Sequence, residues 1–139
     1  MFSNIGYVTR QKYVTKQIIC IYNYMNKEND EKLFKRFKFF RPDLPITDSL
    51  MAFGFECGDG WFNLIWDLCE KIEPLVDKDF NVFQVKEKFG GLRFYVSSTT
   101  DEVFNLIEEA EGKSYKICEK CGKPSKVINK NGWLTTKCC

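Results

Sequence analysis

Residues 81–98, NVFQVKEKFGGLRFYVSS, decide how the chain folds. Phe83 and Val85 alternate with polar neighbours, Gly90 and Gly91 follow, and Leu92, Phe94 and Val96 alternate back. Side chains along a strand point to opposite faces with a period of two, so each arm offers one apolar face. Adjacent glycines supply the positive φ that a two-residue hairpin turn demands at both central positions. The stretch is therefore expected to be an antiparallel hairpin turning at Gly90-Gly91. A phosphate-cradling reading of the same pair fails, because neither a P-loop lysine nor a helix start follows it.

Helical patterns lie on both sides. Before the hairpin, ECGDGWFNLIWDLCEKIEP (56–74) passes from a Gly-Asp-Gly turn into an amphipathic helix. Trp61, Leu64, Ile65, Leu68 and Ile72 recur at helical spacing, and Pro74 is placed to stop it. After the hairpin, TTDEVFNLIEEAEG (99–112) has Thr99 and Glu102 at capping-box spacing. Val103, Phe104 and Ile107 are expected to face the core, Glu108, Glu109 and Glu111 to face outward, and Gly112 to end the helix. Nearer the start, 11–25 and 29–40 read as helices. Within the second, EKLFKRFKFF (31–40) sets Leu33, Phe34, Phe37 and Phe40 on one side as a core-facing stripe. Arg41-Pro42 closes it, since the residue before proline is driven out of the helical region. RPDLPITDS (41–49) is the best linker, too short to separate independent domains. The expected fold is α+β, with helices packed on a small antiparallel hairpin or sheet and a zinc knuckle or ribbon at the C-terminus. Three segments follow: 1–45 helical, 46–112 the α+β core, and 113–139 the knuckle.

The 139 residues suit one domain, long enough to bury ~68% of the unfolded surface. Aromatic residues are 16% of the chain, ample material for a core. The longest apolar run near the N-terminus, IICIY (18–22), is too short for a signal peptide or a membrane span. A reducing compartment is expected, where disulfides are rare, and seven cysteines, an odd number, suit a disulfide framework badly. There is no histidine. Catalysis by a Ser-His or Cys-His pair is excluded, and any zinc site must be built on thiolates, the structural kind.

The tail, ICEKCGKPSKVINKNGWLTTKCC (117–139), carries that site. Cys118 and Cys121 form a Cys-x-x-Cys pair followed by Gly122, and sixteen residues separate Cys121 from Cys138. Such spacing in a reducing compartment reads as zinc ligation. VINKNGWLTTK (127–137) supplies a hairpin that returns the chain to Cys138. The second pair, Cys138-Cys139, is adjacent, and neighbouring Cβ atoms on a strand point opposite ways. Both thiols reach one ion only if the terminus curls. The expected ligands are Cys118, Cys121, Cys138 and Cys139, one zinc per chain. The terminal carboxylate, Cys57 and an Asp or Glu remain alternatives for the fourth. Cys20 and Cys69 sit among apolar neighbours as core residues.

Charge is segregated. Residues 1–41 carry nine basic groups against three acids, residues 42–112 five against fifteen, and residues 113–139 seven lysines against Glu119 alone. An acidic middle can be a solvated face, or it can meet a basic partner, because complementary potentials steer association. Glu56, Asp59 and Asp67 could in principle hold a metal or act as an acid–base pair. With no nucleophile motif and no phosphate loop beside them, an enzyme is not expected.

The combination GDGW…LC…VKEKFGGLRFYV…CxxCG…GW…C resembles a family of small phage and prophage proteins of bacteria. The resemblance covers residues 52–139. In such proteins the tail carries Cys-x-x-Cys and then a cysteine with a further Cys or His a few residues on. This chain differs in ending on Cys138-Cys139, which leaves its fourth ligand open. The Lys-rich, Arg-poor composition, 17 against 4, suits a low-GC host. Among phage proteins of this size the chain is similar to the metal-binding type II-A anti-CRISPR inhibitors. That resemblance implies a structural zinc, the host bacterial cytoplasm, no enzymatic activity, and direct binding to a type II CRISPR effector nuclease, whose nucleic-acid channel is basic. Asp101, Glu102, Glu108 and Glu109 are then the first candidates for the contact. The competing class is a nucleic-acid-binding zinc ribbon, its phosphate contacts drawn from Lys113, Lys116, Lys120, Lys123, Lys126, Lys130 and Lys137.

Overall fold

The hairpin forms, with a shifted turn. In the computed structural model, which describes residues 24–138, β1 (Val82–Lys88) pairs antiparallel with β2 (Gly91–Val96). Lys88 lies opposite Gly91, so the two-residue loop is Phe89-Gly90, with φ of +54° and +85°. Gly91 belongs to the strand, where the Tyr115 ring lies against its bare Cα. The expected alternation also slips: Val82 and Val85 are both buried and Phe83 is half-buried. A bulge between Val82 and Gln84 explains it, since an extra residue resets the period-two phase. On the second arm Leu92 and Phe94 are buried as expected, and Val96 packs against the core half-buried.

Three α-helices among the described residues surround this hairpin. The first, α1 (Lys27–Arg36), opens on Asn26, whose side chain accepts the Asn29 N–H at 2.8 Å. It stops before Arg41 because Phe37 turns extended. Val82 N–H then donates to Phe39 O at 2.9 Å, so Phe39 and Phe40 lie along β1 and are both buried. Pairing with β1 thus outweighs helix propensity over residues 37–40. Leu33, Phe37 and Phe40 do reach the core, where Phe40 meets Phe55 edge-on at 4.9 Å between centroids. The expected 11–25 helix and Cys20 lie outside the described residues, apart from residues 24 and 25.

The second helix, α2 (Phe62–Ile72), is entered through a 3-10 turn, Asp59–Trp61, and buries Ile65, Leu68, Cys69 and Ile72. Pro74 sits in a further 3-10 turn, Glu73–Leu75, that ends it. Arg36 clamps Glu73 through both carboxylate oxygens, at 2.9 and 2.8 Å, joining the ends of α1 and α2.

The third helix, α3 (Asp101–Ser114), packs on α2 and β2. Its cap is Thr100, whose hydroxyl accepts Val103 N–H, not Thr99, so the expected capping box does not form. Gly112 lies inside the helix, Phe104 is 45% exposed, and Glu111 turns inward. The reason is the edge of β2. Its Phe94 N–H donates to Glu111 Oε2 at 3.0 Å and its Leu92 N–H to Ser114 Oγ at 2.8 Å. Two backbone donors with no strand beside them are satisfied by helix side chains, which orients α3. The buried apolar residues of all three helices and the hairpin form one cluster.

Candidate metal centre

The tail folds as a knuckle followed by a small hairpin. Cys118 N–H donates to Lys123 O at 2.8 Å and Gly122 N–H to Cys118 O at 2.9 Å, closing a turn around Cys118–Cys121. β3 (Ile128–Lys130) and β4 (Trp133–Thr135) are joined by Asn131-Gly132, both at positive φ. Thr136 Oγ1 accepts Glu119 N–H at 3.1 Å and Ser125 Oγ donates to Thr136 O at 2.6 Å, holding the returning strand over the knuckle.

Three cysteines converge there. The sulfurs of Cys118, Cys121 and Cys138 all lie within 4.8 Å of one another, Cys121 and Cys138 at 3.3 Å. Tetrahedral ligation with Zn–S bonds of ~2.3 Å would space the sulfurs by ~3.8 Å, so the three fit one ion with small adjustment. Cys118 is buried and its partners are exposed. Burial opposes ionisation of Cys118, but N–H groups of Cys138, Cys121 and Lys120 aimed at its sulfur outweigh burial and bring it to about 6. Cys138, hydrogen-bonded to the sulfurs of Cys121 and Cys118, is pushed up to about 12. Cys139 lies outside the described residues. Cys57 is buried in the core and is no part of the cluster, nor is any described carboxylate. Burial pushes the Cys57 and Cys69 thiols well up, as neutral core groups.

The knuckle is seated in a socket made by Gly58-Asp59-Gly60-Trp61. Gly60 N–H donates to Glu119 O at 2.7 Å, Gly58 N–H to Glu119 Oε2 at 3.0 Å, and Trp61 Nε1 to Ile117 O at 3.0 Å. A Cβ on Gly60 would strike the Cys118 carbonyl and stand only 2.6 Å from Glu119 O and Gly122 N. Burial pushes the enclosed Glu119 carboxyl up to about 7, against the pull of Gly58 N–H and Lys137. Sequence reasoning missed this link between two motifs some sixty residues apart. Its available signal was a second glycine that no turn requires.

The remaining candidates are dispersed. Asp59 Oδ1 accepts Asn26 N–H at 2.9 Å and Asn29 Nδ2 at 3.1 Å, so it ties α1 to the socket. Glu56 accepts Gln84 Nε2 at 3.2 Å. Asp67 lines a cleft of about 370 Å³ between α2 and α3, with Lys71, Glu109, Lys113 and Cys121. The three carboxylates do not converge. Asp101, Glu102, Glu108 and Glu109 are all exposed, and Glu109 pairs with Lys113 at 3.1 Å, which lowers its pKa. Among the described residues no helix is long and apolar enough to cross a membrane. Comparison with protein-family models, curated proteins and solved structures found nothing that matches the chain.

Proposed function

We propose that the protein is a zinc-stapled binding module that inhibits a type II CRISPR effector nuclease by direct association, with no chemistry of its own. The observation that carries the module reading is the seat of the thiol cluster. Three sulfurs meet on a turn whose carbonyls are pressed against Gly58 and Gly60, so an ion bound there fastens the C-terminal hairpin to the body. Thiolate ligands in a histidine-free chain favour zinc, and Cys139, outside the described residues, is our proposal for the fourth ligand. Such an ion is structural, and its binding free energy becomes folding free energy for the tail.

The partner follows from the resemblance to phage inhibitors and from charge. The exposed acids on α3, Asp101, Glu102, Glu108 and Glu109, suit a surface that normally holds nucleic acid, and the setting is the host bacterial cytoplasm. Elemental analysis of protein purified without chelators tests the metal, with about one zinc per chain expected. Co-purification with a type II effector, with and without guide RNA, and a target-cleavage assay test the partner. Stoichiometric inhibition supports the reading. Absence of both binding and inhibition across several type II nucleases removes the partner and leaves the zinc module standing.

A further inference from the structure

The β1–β2 turn meets the tail hairpin toward the end away from its Asn131-Gly132 turn, and each hairpin carries an aromatic ring exposed to solvent near the contact. Gly90, in the β1–β2 turn, packs against the tail hairpin: a Cβ built there would lie 3.2 Å from Val127 Cγ1, 3.4 Å from Thr135 N and 3.5 Å from the Leu134 carbonyl carbon. Phe89 precedes Gly90 and Trp133 precedes Leu134, so the two aromatic residues flank this contact along their own strands. They are 64% and 65% exposed, the two most exposed large apolar side chains among the described residues.

Phe89 is held where a bulky residue is least at ease. Its φ of +54° is the left-handed region, which asparagine or glycine would enter at lower cost in this turn type. An aromatic ring kept exposed in a strained position points toward use.

The surroundings are cationic. Lys88 Nζ stands 5.5 Å over the Phe89 ring, and Lys130 pairs across the strands with Trp133. Lys126 adjoins Val127, against which the turn packs, and Lys88, Lys126 and Lys130 are all exposed. Among the described residues none of the three has an ion-pair partner. The turn's own acid, Glu87, directs its carboxylate to Gly90 N–H. The tail's single acid, Glu119, is buried.

We propose that the surface carrying Phe89 and Trp133 binds single-stranded nucleic acid, bases stacking on the two rings while Lys88, Lys126 and Lys130 meet the phosphates. Exposed aromatic rings beside lysines are the elements of a sequence-tolerant stacking site, and paired bases in a duplex cannot lie on them. This surface lies where the β1–β2 turn meets the tail hairpin and includes none of the α3 acids, and the inference does not rest on the nuclease reading.

The test titrates the full-length, zinc-loaded protein with labelled oligothymidylate and oligouridylate of about 12 nucleotides, within common single-strand site sizes, and with duplex of equal length. Fluorescence anisotropy should detect salt-sensitive binding to the single strands and weaker binding to the duplex, with quenching of Trp133 emission. Trp133→Ala and Phe89→Asn should each weaken single-strand binding about tenfold, and Trp133→Phe should restore most of it. Lys126→Gln and Lys130→Gln should each flatten the salt dependence. Since both rings are exposed, far-UV circular dichroism should be unchanged in every variant. The proposal is overturned if duplex binds as well as single strand, or if the aromatic variants bind like the parent. It is equally overturned if no oligonucleotide binds while sedimentation reveals self-association lost in Trp133→Ala, which would assign the face to a second copy.

Discussion

Glycines mark how differently one residue type can act. At Gly60 a methyl group would strike the knuckle's backbone, which cannot move without opening the turn that gathers the sulfurs. Gly60→Ala should therefore cost on the order of 1–3 kcal/mol, read as a lowered denaturation midpoint and faster zinc loss to a chelator. Gly112, inside α3, has nothing within 4 Å of a built Cβ, so Gly112→Ala should stabilise by up to ~1 kcal/mol. Opposite signs are required; equal effects would refute the socket. From sequence, Gly112 is legible only as a helix end, because glycines near helix termini are ordinarily C-caps. Helical phase alone points Glu111 outward, and its partner, Phe94 N–H, is a β2 edge donor that no local pattern announces. Burial raises the Glu111 pKa above its ordinary 4.5, against the pull of the Phe94 N–H. The folded state therefore holds this proton to higher pH than the unfolded chain does. Its stabilising effect is complete below the ordinary carboxylate range and is lost as pH rises through the raised folded value. Glu111→Gln should flatten that fall in urea-unfolding free energy, and an unchanged slope would mean another group is responsible.

At the scale of elements, both hairpin turns use two consecutive positive φ values, yet only Asn131-Gly132 carries the residues that such turns prefer. Local pattern sets the first turn one residue late, at Gly90-Gly91, because two glycines satisfy the same demand more readily than Phe89-Gly90. What places it earlier is long-range: Tyr115 lies where a side chain at residue 91 would be, and the bulge after Val82 accommodates Phe40 and Glu56 along the far side of β1. The α+β class, the helix-hairpin-helix order and the Cys118, Cys121 and Cys138 site rest on local periodicity and spacing, and these were legible. Helix ends, the bulge and the socket rest on partners distant in sequence, and these were not. The strain at Phe89 gives an element-level expectation. Phe89→Asn should raise the thermal midpoint by an amount equivalent to about 1 kcal/mol, the cost of one left-handed residue. A lower midpoint would show that Phe89 stabilises the turn rather than serving a ligand.

For the whole molecule, the question is how far the loss of metal would spread. Most of the apolar cluster, from Leu33 through Trp61 and Ile65 to Val85, Phe94 and Ile107, belongs to the helices and the long hairpin, with no residue of the tail hairpin in it. Beyond Ile117 at the core's edge and the packing of Gly90 on the tail hairpin, the tail relies on polar links: Gly58, Gly60 and Trp61 to residues 117–119, and Thr136 back to Glu119. Each such hydrogen bond contributes only about 1 kcal/mol net, so three or four of them cannot hold a short hairpin that lacks a core of its own. Removing the metal, or replacing Cys118 by Ser, is therefore expected to release residues 117–138 first. The socket should loosen with them, because Gly60 N–H and the Trp61 indole lose their carbonyl acceptors. Hydrogen exchange after chelation should accelerate through residues 117–138 and at Gly60 and Trp61, while α1, α3 and the β1–β2 ladder keep their protection. Helical circular dichroism should persist, and added zinc should restore slow exchange in the parent but not in Cys118→Ser. Cooperative loss of all protection on chelation would mean that the metal supports the core itself, and that the tail's polar links matter far more than their number suggests.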